Sequence, residues 1–236
     1  MKIRNIILRA GVKMTLVVVL VCLLSLPAAL VWGSPIIYSL YGDDFPVSAT
    51  VVMDYDGTDT LSLDITNAST SPTTSYITAF AFNLPNPPVT GVNYVDPIPP
   101  TDWPTGWSIA PEPTTFVFDS VNTPVNYGYF DVAGITGPNF GGGSTAVGIG
   151  QGDTLSFDFV FSGENLNLLA TADFFSLSHP KNSQSLLQPL VVRFQGIDLG
   201  GGEDESDVAL VPIPSVILLF GSGLLGLAGI RSFFIL

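Results

Sequence analysis

Leu155, Phe157, Phe159 and Phe161 recur at every second position, separated by Ser156, Asp158, Val160 and Ser162. A two-residue period puts successive side chains on opposite faces of an extended chain, so this stripe predicts a strand with one buried and one wet face. The same alternation runs through Thr60–Thr66, where Leu61, Leu63 and Ile65 face one way and Thr60, Ser62 and Asp64 the other. Asp56-Gly57, lying between Ser48–Met53 and Thr60–Thr66, predicts a hairpin, because glycine takes the positive φ of a tight turn without steric cost. Further strands are expected over Ser75–Asn83, Thr115–Asp119, Tyr127–Val132, Asp153–Ser162, Ala172–Leu177 and Leu190–Gln195. Between Ser34 and Leu210 the only helical expectation is a short turn within Glu164–Ala170. Segments 83–105, 134–143 and 179–188 read as loops, and 24 Gly and 19 Pro fit a chain that turns often. The expected fold is all-β: an antiparallel β-sandwich, jelly-roll or Ig-like.

The two ends read differently from this body. Residues 1–13 carry Lys2, Arg4, Arg9 and Lys13, and Met14–Leu26 is almost wholly apolar before Pro27. Val31-Trp32-Gly33 then places small or apolar residues before Ser34, which completes the tripartite layout of a secretory signal peptide. The competing reading is an uncleaved anchor, against which the apolar run is shorter than the roughly 20 residues that span a bilayer. Cys22 is the single cysteine and lies in this run, behind Val19-Leu20-Val21 rather than the small residue of a lipoprotein site. An exported body would therefore have no thiol and no disulfide. At the other end, Ile213–Ile230 is free of charge and long enough to cross a membrane as a helix, with Arg231 directly after it.

The body between Ser34 and Leu210 holds all 20 acidic residues but only Lys181 and Arg193 as bases, a formal charge of −18. Such a surface repels phosphate backbones, so nucleic acid is not an expected partner. Gly200-Gly201-Gly202 followed by Glu203-Asp204-Glu205-Ser206-Asp207 reads as a solvated spacer between body and tail. The expected organisation is a signal peptide (1–33), a β-sandwich domain (34–199), a Gly/acidic spacer (200–210) and a C-terminal segment with a membrane helix (211–236).

Val211-Pro212-Ile213-Pro214, the apolar helix containing Gly221–Gly229, and Arg231 together resemble the PEP-CTERM sorting signal. Ile213 stands where that family usually has Glu, and the usual basic cluster is reduced to Arg231. The resemblance implies an exosortase-like membrane protease as partner, which cuts near the box and releases the protein to the surface or the extracellular matrix. Permanent anchoring by the same helix is the competing reading. A looser resemblance, over Gly148–Phe161 and Val192–Gly196, is to exported bodies that carry this signal, and implies a β-sandwich without known activity.

Three groups of residues in the body invite a chemical reading. Asp54, Asp56 and Asp59 have the spacing of half a calcium loop, but Asp64 and Asn67 follow on a strand rather than a helix, which favours a hairpin tip. Trp103, Trp107 and Tyr94 form an aromatic group that either stacks on the sugar rings of an extracellular polysaccharide or plugs the core. His179 is the sole histidine, no Gly-x-Ser-x-Gly elbow is present, and the Gly148–Gly152 run lacks the lysine of a phosphate loop. The expectation is a non-enzymatic protein without a cofactor: a matrix or exopolysaccharide component, with a carbohydrate-binding module or adhesin as alternative and a hydrolase behind both.

Overall fold

The Asp56-Gly57 hairpin forms as the turn chemistry dictates. Gly57 has φ 77°, and strands β2 (Ser48–Tyr55) and β3 (Thr60–Asn67) pair antiparallel, with Tyr55 opposite Leu61. The structure, a computed structural model, describes residues 34–86, 89–94, 104–112, 116–124, 126–202 and 204–212. The expected signal peptide and the C-terminal helix lie outside the described residues, as do Trp103, Ile213, Pro214 and Arg231. No helix among the described residues is long and apolar enough to cross a membrane.

The remaining strands are β1 (Ile36–Gly42), β4 (Thr74–Phe82), β5 (Val89–Tyr94), β6 (Ser108–Ala110), β7 (Val121–Asn122), β8 (Tyr129–Phe130), β9 (Val132–Ile135), β10 (Thr154–Gly163), β11 (Leu190–Asp198) and β12 (Glu205–Leu210). Ten strands make one antiparallel sheet in the order β5-β10-β3-β2-β1-β12-β11-β4-β9-β6, and β7 pairs with β8 apart from it. The fold is all-β. Register turns the sequence alternation into rows: Phe157 lies opposite Leu63 and Leu63 opposite Met53, while Phe159 lies opposite Leu61 and Leu61 opposite Tyr55. Because the sheet curls, β4 comes to face β10 across these rows, with Phe80 4.7 Å from Phe157 and Phe82 5.1 Å from Phe159 between ring centroids. Each such ring contributes about 1.5–3 kcal/mol by leaving water, so this layer dominates the stability of the body.

A second apolar layer covers the opposite face of β4, β9 and β11. Ala79, Ala81, Ala133 and Val191 lie there beneath Val121 of β7, Phe130 of β8 and Tyr127 and Phe140 of the loops around them. Small side chains on the strands let those loops approach closely, which explains why almost every residue of β4 is buried on both faces.

Three expectations are corrected. The spacer assigned to 200–210 contains β12, which lies between β1 and β11 with Val208 and Ala209 buried. The domain therefore runs through Leu210, not to 199. The acidic run disguises the strand: Asp207 is not a solvated charge but accepts the N–H groups of Phe45 (2.9 Å) and Asp44 (3.2 Å), fixing the turn before β2. The strand expected over Ala172–Leu177 opens instead as a 3-10 turn, Thr171–Phe174. Thr171 Oγ1 accepts the Tyr55 N–H (3.2 Å), Asp173 accepts the Ala170 N–H (2.7 Å), and Phe174 stacks on Phe161 to close one end of the core. In the expected strand over Thr115–Asp119, residues 116–119 are loop, and Asp119 takes φ 56°. The expected turn in Glu164–Ala170 is present as a 3-10 turn, Leu166–Leu168. Strands β1, β5, β6, β7 and β12 have no counterpart in the sequence expectation; β5 lies within the expected loop 83–105, and Gly134 and Ile135 of β9 within the expected loop 134–143.

Candidate functional site

The carboxylate of Asp56 is consumed by its own turn. Its Oδ1 accepts the N–H groups of Thr58 (2.8 Å), Asp59 (3.0 Å) and Thr60 (3.0 Å), and its Oδ2 accepts the Thr58 hydroxyl. Partial burial would raise its pKa, but these four bonds together outweigh it and hold the carboxyl below its ordinary value. Asp54 is exposed on β2, and among the described residues no three carboxylates, histidines or cysteines are grouped as a metal ion needs. The Asp54, Asp56, Asp59 spacing is thus that of a capped hairpin tip.

Trp107 is only 8% exposed. Its ring stands edge-on to Phe157 with centroids 5.0 Å apart, and its Nε1 donates to the Val147 carbonyl (2.9 Å). It plugs the core, which is the second of the two readings of the aromatic group, and presents no open face for stacking. Tyr94 ends β5, its backbone paired with Phe159. Val211 and Pro212 follow β12 directly, and Val211 packs against the core.

Folding assembles two clefts that the sequence does not announce. The first, of about 280 Å³, brings together Asp119, Asp131 and His179 from three separate segments. Asp131 is buried, and its two oxygens accept the N–H groups of Leu84 (2.8 Å) and Asp119 (2.7 Å). Burial pushes its carboxyl above the ordinary range and the charge of Asp119 adds to this, while the two backbone donors pull the other way. His179 Nδ1 lies 3.9 Å from Asp119 Oδ2, with both side chains largely in solvent at 62% and 48% exposure. An exposed pair of that kind stabilises little. Asp131 acts here as a strut that pins two loops, because both of its acceptor atoms are already in use.

The second cleft, of about 590 Å³, lies where two strands break their register. Thr78 is an extra residue in β4, since Arg193 pairs with Ala79 and Phe194 with Ile77. Gly196 is the extra residue in β11, since Gln195 pairs with Ser206 and Ile197 with Glu205. Glycine suits this place because its φ is 60°. The two bulges flank Gln195. Loop residue Gly143 lies so close above that a Cβ there would sit 2.4 Å from both Gln195 Oε1 and Thr78 Cβ. Thr78 Oγ1 and Gln195 Oε1 are both buried without a hydrogen-bond partner. Tyr76 lies over Gly196, while Ser144, Asp204, Glu205 and Ser206 form the rim. Sequence reasoning missed this site because bulges appear only in the pairing of strands distant along the chain. The single local hint is Gly196 inside the run Leu190–Ile197, which otherwise reads as a strand.

The class so defined is an all-β protein built on one curled antiparallel sheet, with loop-framed clefts at its surface. No protein-family model matches the chain, and neither a curated protein nor a solved structure is significantly similar to it.

Proposed function

We propose that this chain is an exported, non-enzymatic surface or matrix protein whose curled sheet serves as a β-sandwich body between two processing signals. One observation carries the reading: the first described strand opens at Ile36 and the last closes at Leu210, so every described strand lies between the proposed cut before Ser34 and the Pro212-Ile213-Pro214 box. Removing both ends would leave the whole sheet intact. The basic, apolar leader directs export. The uncharged helix after the box holds the chain in the membrane until an exosortase-like protease cuts, and the acidic body faces the extracellular polymer. A non-enzymatic role agrees with Asp131, the buried carboxylate of the first cleft, being engaged by two backbone donors.

Intact-mass measurement on protein from culture medium and from membranes tests this. The expected mature form begins at Ser34 and ends near Pro214 in the medium. A chain found solely in membranes with Leu236 still attached would overturn release, and one retaining Met1–Gly33 in the cytoplasm would overturn export.

A further inference from the structure

We propose that the cleft at the Thr78 and Gly196 bulges binds an uncharged saccharide segment; this deepens the matrix reading above and rests on it for the source of the ligand. A buried hydroxyl (Thr78 Oγ1) and a buried amide oxygen (Gln195 Oε1) sit side by side beneath Gly143 with no partner. Buried polar atoms are almost always satisfied, so an unsatisfied pair beside a cleft marks where water or ligand hydroxyls complete the structure. β-Bulges re-aim side chains and gather next to binding sites, and here two of them converge on one glutamine.

The rim decides the chemistry of the ligand. Asp204 and Glu205 offer acceptors, and no lysine or arginine lines the cleft. Arg193, behind the wall, donates to Ser206 Oγ (3.5 Å), which leaves the serine hydrogen free for an acceptor in the cleft. A site rich in acceptors and carrying negative charge rejects phosphate, sulfate and uronate groups. It suits a ligand that brings many hydroxyl donors and a few acceptors. Tyr76 adds a flat apolar surface: its ring lies over Gly196, where a Cβ would come within 3.3 Å of Cδ2, and no other aromatic ring packs on it among the described residues. Hydroxyl donors around an apolar C–H face are the two surfaces of a pyranose ring. Two carboxylates without a third ligand do not make a cation site.

Calorimetric titration of the full-length chain in detergent, with linear hexasaccharides of glucose, mannose, galactose and N-acetylglucosamine and with hexagalacturonate as the acidic control, tests the assignment. At least one neutral hexamer is expected to bind, and the hexauronate is not. Gln195→Leu, Ser206→Ala and Asp204→Asn should each weaken binding by about tenfold, the scale of one lost directional contact. Ser206 and Asp204 are exposed, so those two variants keep the fold even if Gln195→Leu does not. Absence of binding by every neutral hexamer sinks the proposal, as does equal binding by both folded rim variants, or binding of the hexauronate alone. A chain that is exported and processed but binds no sugar overturns this site alone; one that binds sugar yet stays in the cytoplasm overturns the location alone.

Discussion

Asp131 joins two loops through one carboxylate, and its energetic role follows from what its removal leaves behind. In Asp131→Ala the amides of Leu84 and Asp119 lose their acceptors, and Leu84 is only 3% exposed. An unsatisfied buried donor costs about 1–3 kcal/mol, so urea unfolding should place this variant at least about 2 kcal/mol below the parent. The pH dependence has a definite sign. Burial raises the folded pKa of Asp131, so its stabilising effect is complete below the unfolded carboxylate value of about 3.9 and is lost as pH rises through the raised value. Asp56 works the other way: its folded pKa is lowered, so its contribution is present above the unfolded value and is lost as pH falls. Melting temperature measured against pH should therefore rise in Asp131→Asn relative to the parent as pH climbs past about 4; a constant offset between the two proteins would refute the assignment. Asp131 cannot be told apart in the sequence from the other aspartates. Asp56 announces its turn through the following glycine, whereas Asp131 acquires its role from two segments that arrive only on folding.

At the scale of elements, β12 shows how far composition can mislead. Its first half, Glu205-Ser206-Asp207, continues an acidic run, and only Val208-Ala209-Leu210 is apolar. The strand nevertheless bridges β1 and β11, where Val208 lies opposite Arg193 and Gly42 opposite Ala209. A chain ending at Leu199 would leave the long edge of β11 unpaired, uncover the core beside Ala209 and free the turn held by Asp207. Such a truncation should abolish the cooperative thermal transition, while one ending at Pro212 keeps it; near-ultraviolet circular dichroism during heating separates the two. The strands legible in advance, β2, β3, β4, β10 and β11, have alternation written locally or a stretch of apolar residues. The Thr171–Phe174 turn was illegible because Ala172 and Phe174 imitate a strand period, and a long-range bond from Tyr55 to Thr171 decides against it.

Over the whole molecule, a formal charge of −18 on the body sets a self-repulsion that the fold withstands by burying its aromatic rows. Screening relieves that repulsion. The melting temperature should accordingly rise between very low ionic strength and about 0.15 M salt, where the Debye length is about 8 Å; a fall would mean that attractive pairs dominate the surface. The all-β class, the Asp56-Gly57 hairpin, the inward stripe of β10 and the acidic character of the body follow from the chain read residue by residue, because each depends on neighbours along it. Tertiary structure decided the single curled sheet, the conversion of an acidic spacer into a central strand, the burial of Trp107, and the clefts at Asp131 and at the two bulges. Those depend on register between strands far apart in sequence, and register is settled by the packing of the whole sheet against itself.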